Sequence, residues 1–506
     1  MLELFKYQDV GSRWLAERKY GLLADEMGLG KSAQLVTACD IVGADRFFLA
    51  CPSVARANWL NEFEKFSNKK RKIKVYYDGM QEPPEEDESV IISYDLLPKY
   101  KYKGRFGAMI LDEFHMLKNP EAKRTKAALG KTGCVHQSDR IWVATGTPMP
   151  NNASELWVLL YLFGKTKLGY DVFIERYCTT FFAHGKKRVT GTKKHMIPEL
   201  HTLISSVMLR RMKDEVMKDL PKLSWHDMVC EPGEVDIKND LSLYPRYELN
   251  VENGKELMMR EVARERHILN EMYDRVQPPT VGPTGDQIGK FENITSQVAT
   301  NFQTLRRYTG LAKVDMAAHV ISQFIDTGRE EKLVVFAYHL SVIENLKEKI
   351  KKYKPVIVTG GTPGKRRQDQ VDKFYDNPKC KVFLGQITAA GTAITLTNAK
   401  VAIFVEQDWV PANNAQAAMR IHRLGQTEKC TILNLVLDCP VDRRVAAANK
   451  RKIKEILGVL AGVPVSQSER TEELRPPKHI PVTREFNGRT ITRDEMIENK
   501  KKRKSK

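Results

Sequence analysis

The stretch LLADEMGLGKSAQ, residues 22–34, decides how the chain is read. It opens on apolar residues and then sets two glycines, a lysine and a serine in the order of a phosphate-binding loop. Such a loop holds phosphate with backbone N–H groups at a helix N-terminus, while its lysine reaches the β- and γ-phosphates. Gly28 and Gly30 would let the backbone approach closely, Lys31 would supply the charge, and Ser32 would offer a hydroxyl to Mg²⁺. The generic pattern G-x-x-x-x-G-K-[ST] puts glycine where Asp25 stands, so the loop alone is weak evidence for a nucleotide site.

A second element strengthens it. FGAMILDEFH places Asp112 and Glu113 at the end of an apolar run. In open α/β sheets the carboxyl ends of strands carry the ligands. Asp112 is expected to hold Mg²⁺, directly or through water, and Glu113 to orient the attacking water as general base. Alone, the pair reads equally well as a solvated acidic turn. A third element, WVATGTPMPNNASELW at 142–157, ends a strand in small hydroxyl residues suited to sensing a γ-phosphate.

The surrounding pattern is an α/β one. GLLAD, RFFLACP, SVIISYD, FGAMILDE and RIWVATGTP look like buried strands within the first 160 residues, with SAQLVTACDIV and ARANWLNEFEKF helical between them. Strand and helix in alternation imply a parallel sheet. The habit returns over 315–450 in KLVVFAY, KPVIVTG, CKVFLGQ, KVAIFVEQ and TILNLVL. Between the two halves, 165–310 reads as helical, with a basic insert at 184–195 (HGKKRVTGTKKH) and a turn-rich break at 276–287. Beyond about 460 the chain is polar and ends ENKKKRKSK, which predicts disorder.

Bulk properties narrow the class. The chain has 506 residues, which implies more than one domain, and 42% hydrophobic and 29% charged residues, as in a globular protein. No apolar run approaches the ~18 residues of a membrane span, and MLELFKYQDVGSRWL lacks the features of a signal peptide, so a cytoplasmic protein is expected, or a nuclear one in a eukaryote. The net charge of +19 points to a polyanionic partner. The eight cysteines at 39, 51, 134, 178, 230, 380, 430 and 439 are scattered without a C-x-x-C pair and read as reduced core thiols.

At this point the motifs carry a resemblance. DEMGLGKS, LDEFH and TGTPMPNNASELW resemble motifs I, II and III of superfamily 2 helicases in the Snf2 branch, where the position of Asp25 is normally Asp. FKYQDVGSRWL resembles the Q motif, CPSVARANWLNEFEKF and VIISYDLL motifs Ia and Ib, and KLVVFAYHL motif IV. LGQITAAGTAITLTNA resembles motif V and AQAAMRIHRLGQ motif VI. MLRRMKDEVMKDLPKL, 208–223, resembles the Snf2 segment leading from the first lobe into helical protrusions, and TGLAKVDMAAHVISQFI the second-lobe entry of relatives near the fork-remodelling, annealing-helicase group. Ser32 replaces the commoner Thr, and Phe114 stands where many relatives have Ala.

The resemblance covers about 1–450 and implies two RecA-like lobes: 1–164 binding ATP, helical protrusions and linker at 165–312, a second lobe at 313–460, and a basic tail at 461–506. It implies ATP and Mg²⁺ as cofactors. Gln8 would recognise adenine, Asp25, Glu26, Met27, Gly28, Leu29, Gly30, Lys31 and Ser32 would surround the phosphates, and Ser32 and Asp112 would hold the metal. Arg420 and Arg423, three apart and on one face if helical, would face ATP across the cleft, with Gln416 and Gln426 beside them. Gly391 and Thr392 would link DNA contact to that cleft. Phe181 and Phe182, beside the basic insert, are candidates for a strand-separating wedge, although aromatic residues are more often core.

No bromodomain-like or chromodomain-like module is visible, so a minimal, monomeric motor of a microbe or phage is expected. The leading expectation is an ATPase that translocates on duplex or branched DNA and remodels forks or junctions. The alternatives are an RNA-directed ATPase and an ATP-driven factor that displaces or loads proteins.

Overall fold

The computed structural model describes residues 3–78, 82–99, 104–183, 186–230, 306–307, 309–390, 394–423, 425–437, 440–461, 484–486 and 489–491. The first sheet is built from β1 (Tyr20–Leu23), β2 (Phe47–Cys51), β3 (Ile73–Val75), β4 (Ser89–Ser93), β5 (Ala108–Asp112) and β6 (Ile141–Ala144). A hairpin of β7 (Cys178–Ala183) and β8 (Lys186–Thr192) follows, and β9 (Met208–Leu209) returns to the first sheet, giving the order β3-β4-β2-β5-β6-β1-β9. All its pairings are parallel. The uninterrupted burial of FFLAC in β2 and SVIIS in β4 explains the choice of architecture, because a parallel sheet covered on both faces requires continuous apolar runs.

The second sheet contains β10 (Leu223–Cys230), β11 (Leu333–Ala337), β12 (Val356–Val358), β13 (Val382–Gln386), β14 (Val401–Phe404) and β15 (Cys430–Leu437), in the order β10-β15-β14-β11-β13-β12 and again parallel. Every strand expected from the apolar runs is present in these two sheets. The short β3 and β9 fall below the length at which an apolar run stands out.

Of the middle, 165–183 and 186–230 are described and differ in part from the helical expectation, whereas that expectation for 231–305 lies outside the described residues. Within 165–230, helices Tyr170–Tyr177, Ile197–Ser205 and Lys213–Val216 form, but residues 186–192 of the basic insert are strand β8 of the hairpin. The Thr, Val and Phe content of CTTFFA and KKRVTGT favours strand over helix. Strand β10 also falls inside the range expected for protrusions, yet it pairs with β15 along its whole length and edges the second sheet. MLRRMKDEVMKDLPKL therefore runs from the edge of one sheet to the edge of the other rather than into a protrusion. The turn-rich break at 276–287, Cys439 and the terminal ENKKKRKSK lie outside the described residues.

Residues 464–506 form a separate unit. Disorder was expected over 461–506, but the described part of that unit is an antiparallel hairpin, β16 (Arg484–Phe486) with β17 (Arg489–Ile491).

The two sheets are joined by more than the connecting chain. Helix Pro440–Ala461, which follows β15, lies against helix Ile197–Ser205 and the β8 end of the hairpin. The buried Glu455 carboxylate accepts from Thr192 N at 3.0 Å, and His201 Nδ1 donates to the Val459 carbonyl at 2.9 Å. Phe181 is half exposed, so it is not a core residue, and the Phe182 side chain lies outside the described ones. Seven cysteines are buried thiols outside any disulfide, as expected.

The first core is anchored by Phe47, fully buried and stacked on Phe63 with ring centroids 4.0 Å apart. Replacement Phe47→Ala should cost about 3–5 kcal/mol through lost burial and the cavity left behind. Chemical denaturation followed by tryptophan fluorescence checks it: Trp59 and Trp142 lie in the same core.

Candidate functional site

Three adjacent strands of the first sheet bring their carboxyl ends together. β6 lies between β1 and β5, so the loop after β1, the acidic pair after β5 and TGTP after β6 are neighbours. The loop bends through Gly28 at φ 92° and Gly30 at φ 70°, the left-handed region that glycine enters freely. Gly30 caps helix Lys31–Ile41, whose first N–H groups and dipole form an anion site. A β-carbon at Gly30 would meet Gln8 Nε2 at 2.3 Å, and one at Gly146 would meet Met27 Cγ at 2.6 Å, so a side chain at either position would have to displace its neighbour. Ser32 is the second residue of the helix and is partly exposed.

Lys31 donates to the carbonyls of Asp25 at 2.7 Å and Glu26 at 3.3 Å, which holds its ammonium inside the loop. Burial lowers its pKa, opposed by the charges of Glu113, Asp25 and Asp112. Asp112 accepts from Trp59 Nε1 at 2.8 Å and from Glu113 N at 2.9 Å. Glu113 sits at φ 47°, a strained conformation for a residue with a side chain. That twist brings its carboxylate 3.3 Å from Thr145 Oγ1 and 3.2 Å from His115 Nδ1. Burial and the Glu113 charge raise Asp112. Burial also acts on Glu113, but the His115 hydrogen bond and the charges of His115, Lys31 and Arg420 outweigh it and hold Glu113 low. Glu113 is thus kept ionised, and Asp112 is left short of positive charge.

That shortage is the test of whether a divalent cation fits. A buried carboxylate raised by its neighbour is relieved by a cation, and Ser32 offers the second oxygen donor at the head of the helix. The residues fit Mg²⁺ carried with a nucleotide, which would neutralise phosphate charge there. Among the described residues no group of three or more His, Cys, Asp or Glu forms a dedicated metal site.

The arginines come from the other sheet. Helix Pro411–Ala418 ends before them, and Met419–Arg423 lies in turns, so they do not share a helical face. The Arg420 carbonyl is taken by Leu396 N at 2.8 Å, which ends the helical pattern. Arg420 Nη1 donates to the Ile394 carbonyl at 3.1 Å, and Arg423 Nη1 to Thr395 Oγ1 at 3.2 Å. Burial disfavours the charge of both, and Glu113 of the opposite sheet favours it in both. Gln426 braces the turn by donating to the carbonyls of Thr397, Ala399 and Ile421 at 3.1–3.2 Å. Gln416 is buried on the preceding helix. Gly391 and Thr392 lie outside the described residues.

Asp25 departs from expectation. It is fully buried, and its two oxygens accept from Arg211 N, Nε and Nη2 and from Gln34 Nε2, at 2.5–3.1 Å. It binds the segment 210–213 rather than facing a ligand. Leu29 is buried too, and its carbonyl accepts from Tyr7 OH, Gln8 Nε2 and Gln34 Nε2, so the Gln8 amide is engaged by the loop itself. Glu26 accepts from Lys213 N at 2.8 Å. Arg210 donates to the Ala24 carbonyl at 2.9 Å and the Gly146 carbonyl at 3.4 Å. Sequence reasoning passed over Trp59, Gln34, Arg210, Arg211 and Lys213. They sit inside quoted motifs, but spacing does not reveal their partners.

Removing Asp25 should therefore act on stability first. Asp25→Ala leaves a buried guanidinium without its carboxylate, an expected loss of about 3–5 kcal/mol. A urea midpoint measured without nucleotide checks it, since a ligand contact alone would leave that midpoint unchanged.

The SNF2-related domain matches residues 7–270, and the helicase conserved C-terminal domain matches 313–425. ATP-dependent helicase FUN30 of Saccharomyces cerevisiae is 26% identical over 89% of this chain and 46% of its own length. The SWI/SNF-related matrix-associated actin-dependent regulator of chromatin subfamily A-like protein 1 homolog of Caenorhabditis elegans is 28% identical over 86% of this chain and 58% of its own. The chain thus spans roughly half the length of these two relatives. The solved Sulfolobus solfataricus SWI2/SNF2 ATPase core in complex with dsDNA covers 92% of this chain, with 96% of its own covered, at 20% identity and a TM-score of 0.40. With a phosphate loop, an acidic pair and two arginines meeting between two parallel sheets, and more than half of its length matched by the family's domain, the chain belongs to the SNF2-related family.

Proposed function

We propose that the chain is a DNA-dependent ATPase that translocates on duplex or branched DNA and remodels forks or junctions. The observation that carries this reading is the charge arrangement across the cleft: Glu113 of one sheet interacts with Arg420 and Arg423 of the other. A base kept ionised on one lobe and guanidinium groups supplied by the second is the requirement for hydrolysis that depends on lobe closure. Lys31 would bind the β- and γ-phosphates, Glu113 would take a proton from the attacking water, and the arginines would stabilise charge on the transferring group. Mg²⁺ with ATP, held by Ser32 and Asp112, would neutralise phosphate charge.

The net charge of +19 supports a nucleic-acid track held through its backbone, without regard to sequence. Repeated closure of the cleft would move one lobe against the other and advance the chain along that track. Work on forks or junctions is the finer part of the reading, supported by the resemblance of TGLAKVDMAAHVISQFI to the fork-remodelling group. Among the described residues no helix is long and apolar enough to cross a membrane.

ATP hydrolysis measured with Mg²⁺ and single-stranded DNA, duplex DNA, a fork, a four-way junction or duplex RNA tests the proposal. DNA should stimulate the rate, fork or junction most strongly, and Lys31→Ala should abolish it. Glu113→Gln should lower kcat about 10²–10⁴-fold while ATP still binds, as expected for loss of a general base. Equal rates with and without nucleic acid would overturn the translocase reading, and preferential stimulation by RNA would redirect the substrate class.

A further inference from the structure

Segment 210–213, RRMK, touches the loop after β1, the turn after β6 and the arginine-bearing turn. Arg210 donates to backbone carbonyls after β1 and β6, Arg211 pairs with Asp25, and Lys213 N holds the Glu26 carboxylate. The Lys213 side chain then leaves the first lobe. It is 4% exposed, and its ammonium donates to the His422 carbonyl at 2.6 Å and to Met419 Sδ at 3.1 Å, both in the arginine-bearing turn of the second lobe. His422 Nδ1 lies 3.5 Å from it. His422 Nε2 donates to the Pro221 carbonyl at 2.7 Å, which leaves Nδ1 as an acceptor facing the ammonium. The three acceptors of that turn stand in for the water that the ammonium gives up, while burial lowers the Lys213 pKa to about 8 against the opposing pull of Glu26.

The contact lies next to the phosphate loop. A β-carbon at Gly28 would lie 3.3 Å from Lys213 Cε and 3.5 Å from Arg423 Cγ, so loop, lysine and arginine meet at one point. Arg423 Nε is itself tied to the Met419 carbonyl at 3.1 Å. The residues that Lys213 grips, Met419 and His422, thus bracket the backbone that aims Arg423.

We propose that Lys213 is a positioning residue for hydrolysis, an ammonium strap that carries the position of the phosphate loop to the Met419–Arg423 turn and sets the arginines against the nucleotide. The strap rests on the ATPase reading above. Its physical basis is that one end is fixed by the Asp25–Arg211 pair while the other holds a turn that leaves the helix, where Arg420 N and Ile421 N fall back on i−3 carbonyls. Losing the strap should blur the aim of Arg423 and leave nucleotide binding to the first lobe intact, because Lys31 and the helix N-terminus do not depend on it.

A double-mutant cycle on the full chain tests this, with Lys213→Met, Arg423→Ala and the double variant compared with wild type for ATP hydrolysis at saturating duplex DNA. Lys213→Met should lower kcat by roughly 10-fold with KM for ATP within about 2-fold, and should add no more than about 2-fold once Arg423 is Ala, since residues acting as one unit are not additive. Losses that multiply, a rise in KM in place of a fall in kcat, or no loss at all would overturn the strap; the first two would assign Lys213 to phosphate binding or simple packing. If Lys213→Met does not fold, Met419→Leu removes only the sulfur acceptor and is read in the same cycle by the same criteria. A wild-type chain without ATP hydrolysis would overturn the ATPase reading itself, whereas an active wild type with a multiplicative cycle overturns only the strap.

Discussion

The buried ion pair between Asp25 and Arg211 is the constraint on which the cleft depends. Asp25 has no exposed surface and Arg211 has little, so neither charge can be left to water if the other is lost. The pair is satisfied only when the strand carrying the phosphate loop and the segment after β9 lie side by side. The same guanidinium donates to Gln34 of the loop's helix and to the Tyr7 carbonyl of the N-terminal helix, and it lies over the Tyr7 ring. One residue from the far end of the first lobe therefore fastens three parts of the nucleotide site.

From that fixed point the chain reaches the second lobe by two routes. Lys213 crosses directly to the arginine turn, and β10 runs on to pair with β15. Helix Pro440–Ala461 makes the return connection onto helix Ile197–Ser205. Charge then acts across the gap that these routes frame. Glu113 is held low first by His115, then by Lys31 of its own sheet and last by Arg420 of the other. The strained backbone at Glu113 belongs to the same design, since it turns the carboxylate toward Thr145 and His115.

Much of this was legible beforehand. Long apolar runs that end in glycine or acid are strongly constrained, because only a buried parallel sheet uses them, and the loop, the acidic pair and the arginine turn are contiguous stretches with recognisable chemistry. Short edge strands such as β9 carry too few residues to show a pattern. The β7–β8 hairpin was hidden by its lysines, which mask strand-forming Thr, Val and Phe when charge is read first. The Asp25–Arg211 pair was invisible for another reason: its partners lie 186 residues apart, and local spacing holds no trace of such a contact.

The amino-acid sequence by itself determined the α/β class, the two strand sets, the family and the chemical kinds of group in the cleft, since each follows from local patterns of burial and polarity. Only the tertiary structure decided that Asp25 is a buried anchor, that Arg420 and Arg423 lie in a turn beyond their helix, and that Lys213 spans the lobes. Those outcomes depend on where distant carbonyls and carboxylates arrive. A buried cation takes the acceptors that packing presents to it, and the chain's local sequence does not name them.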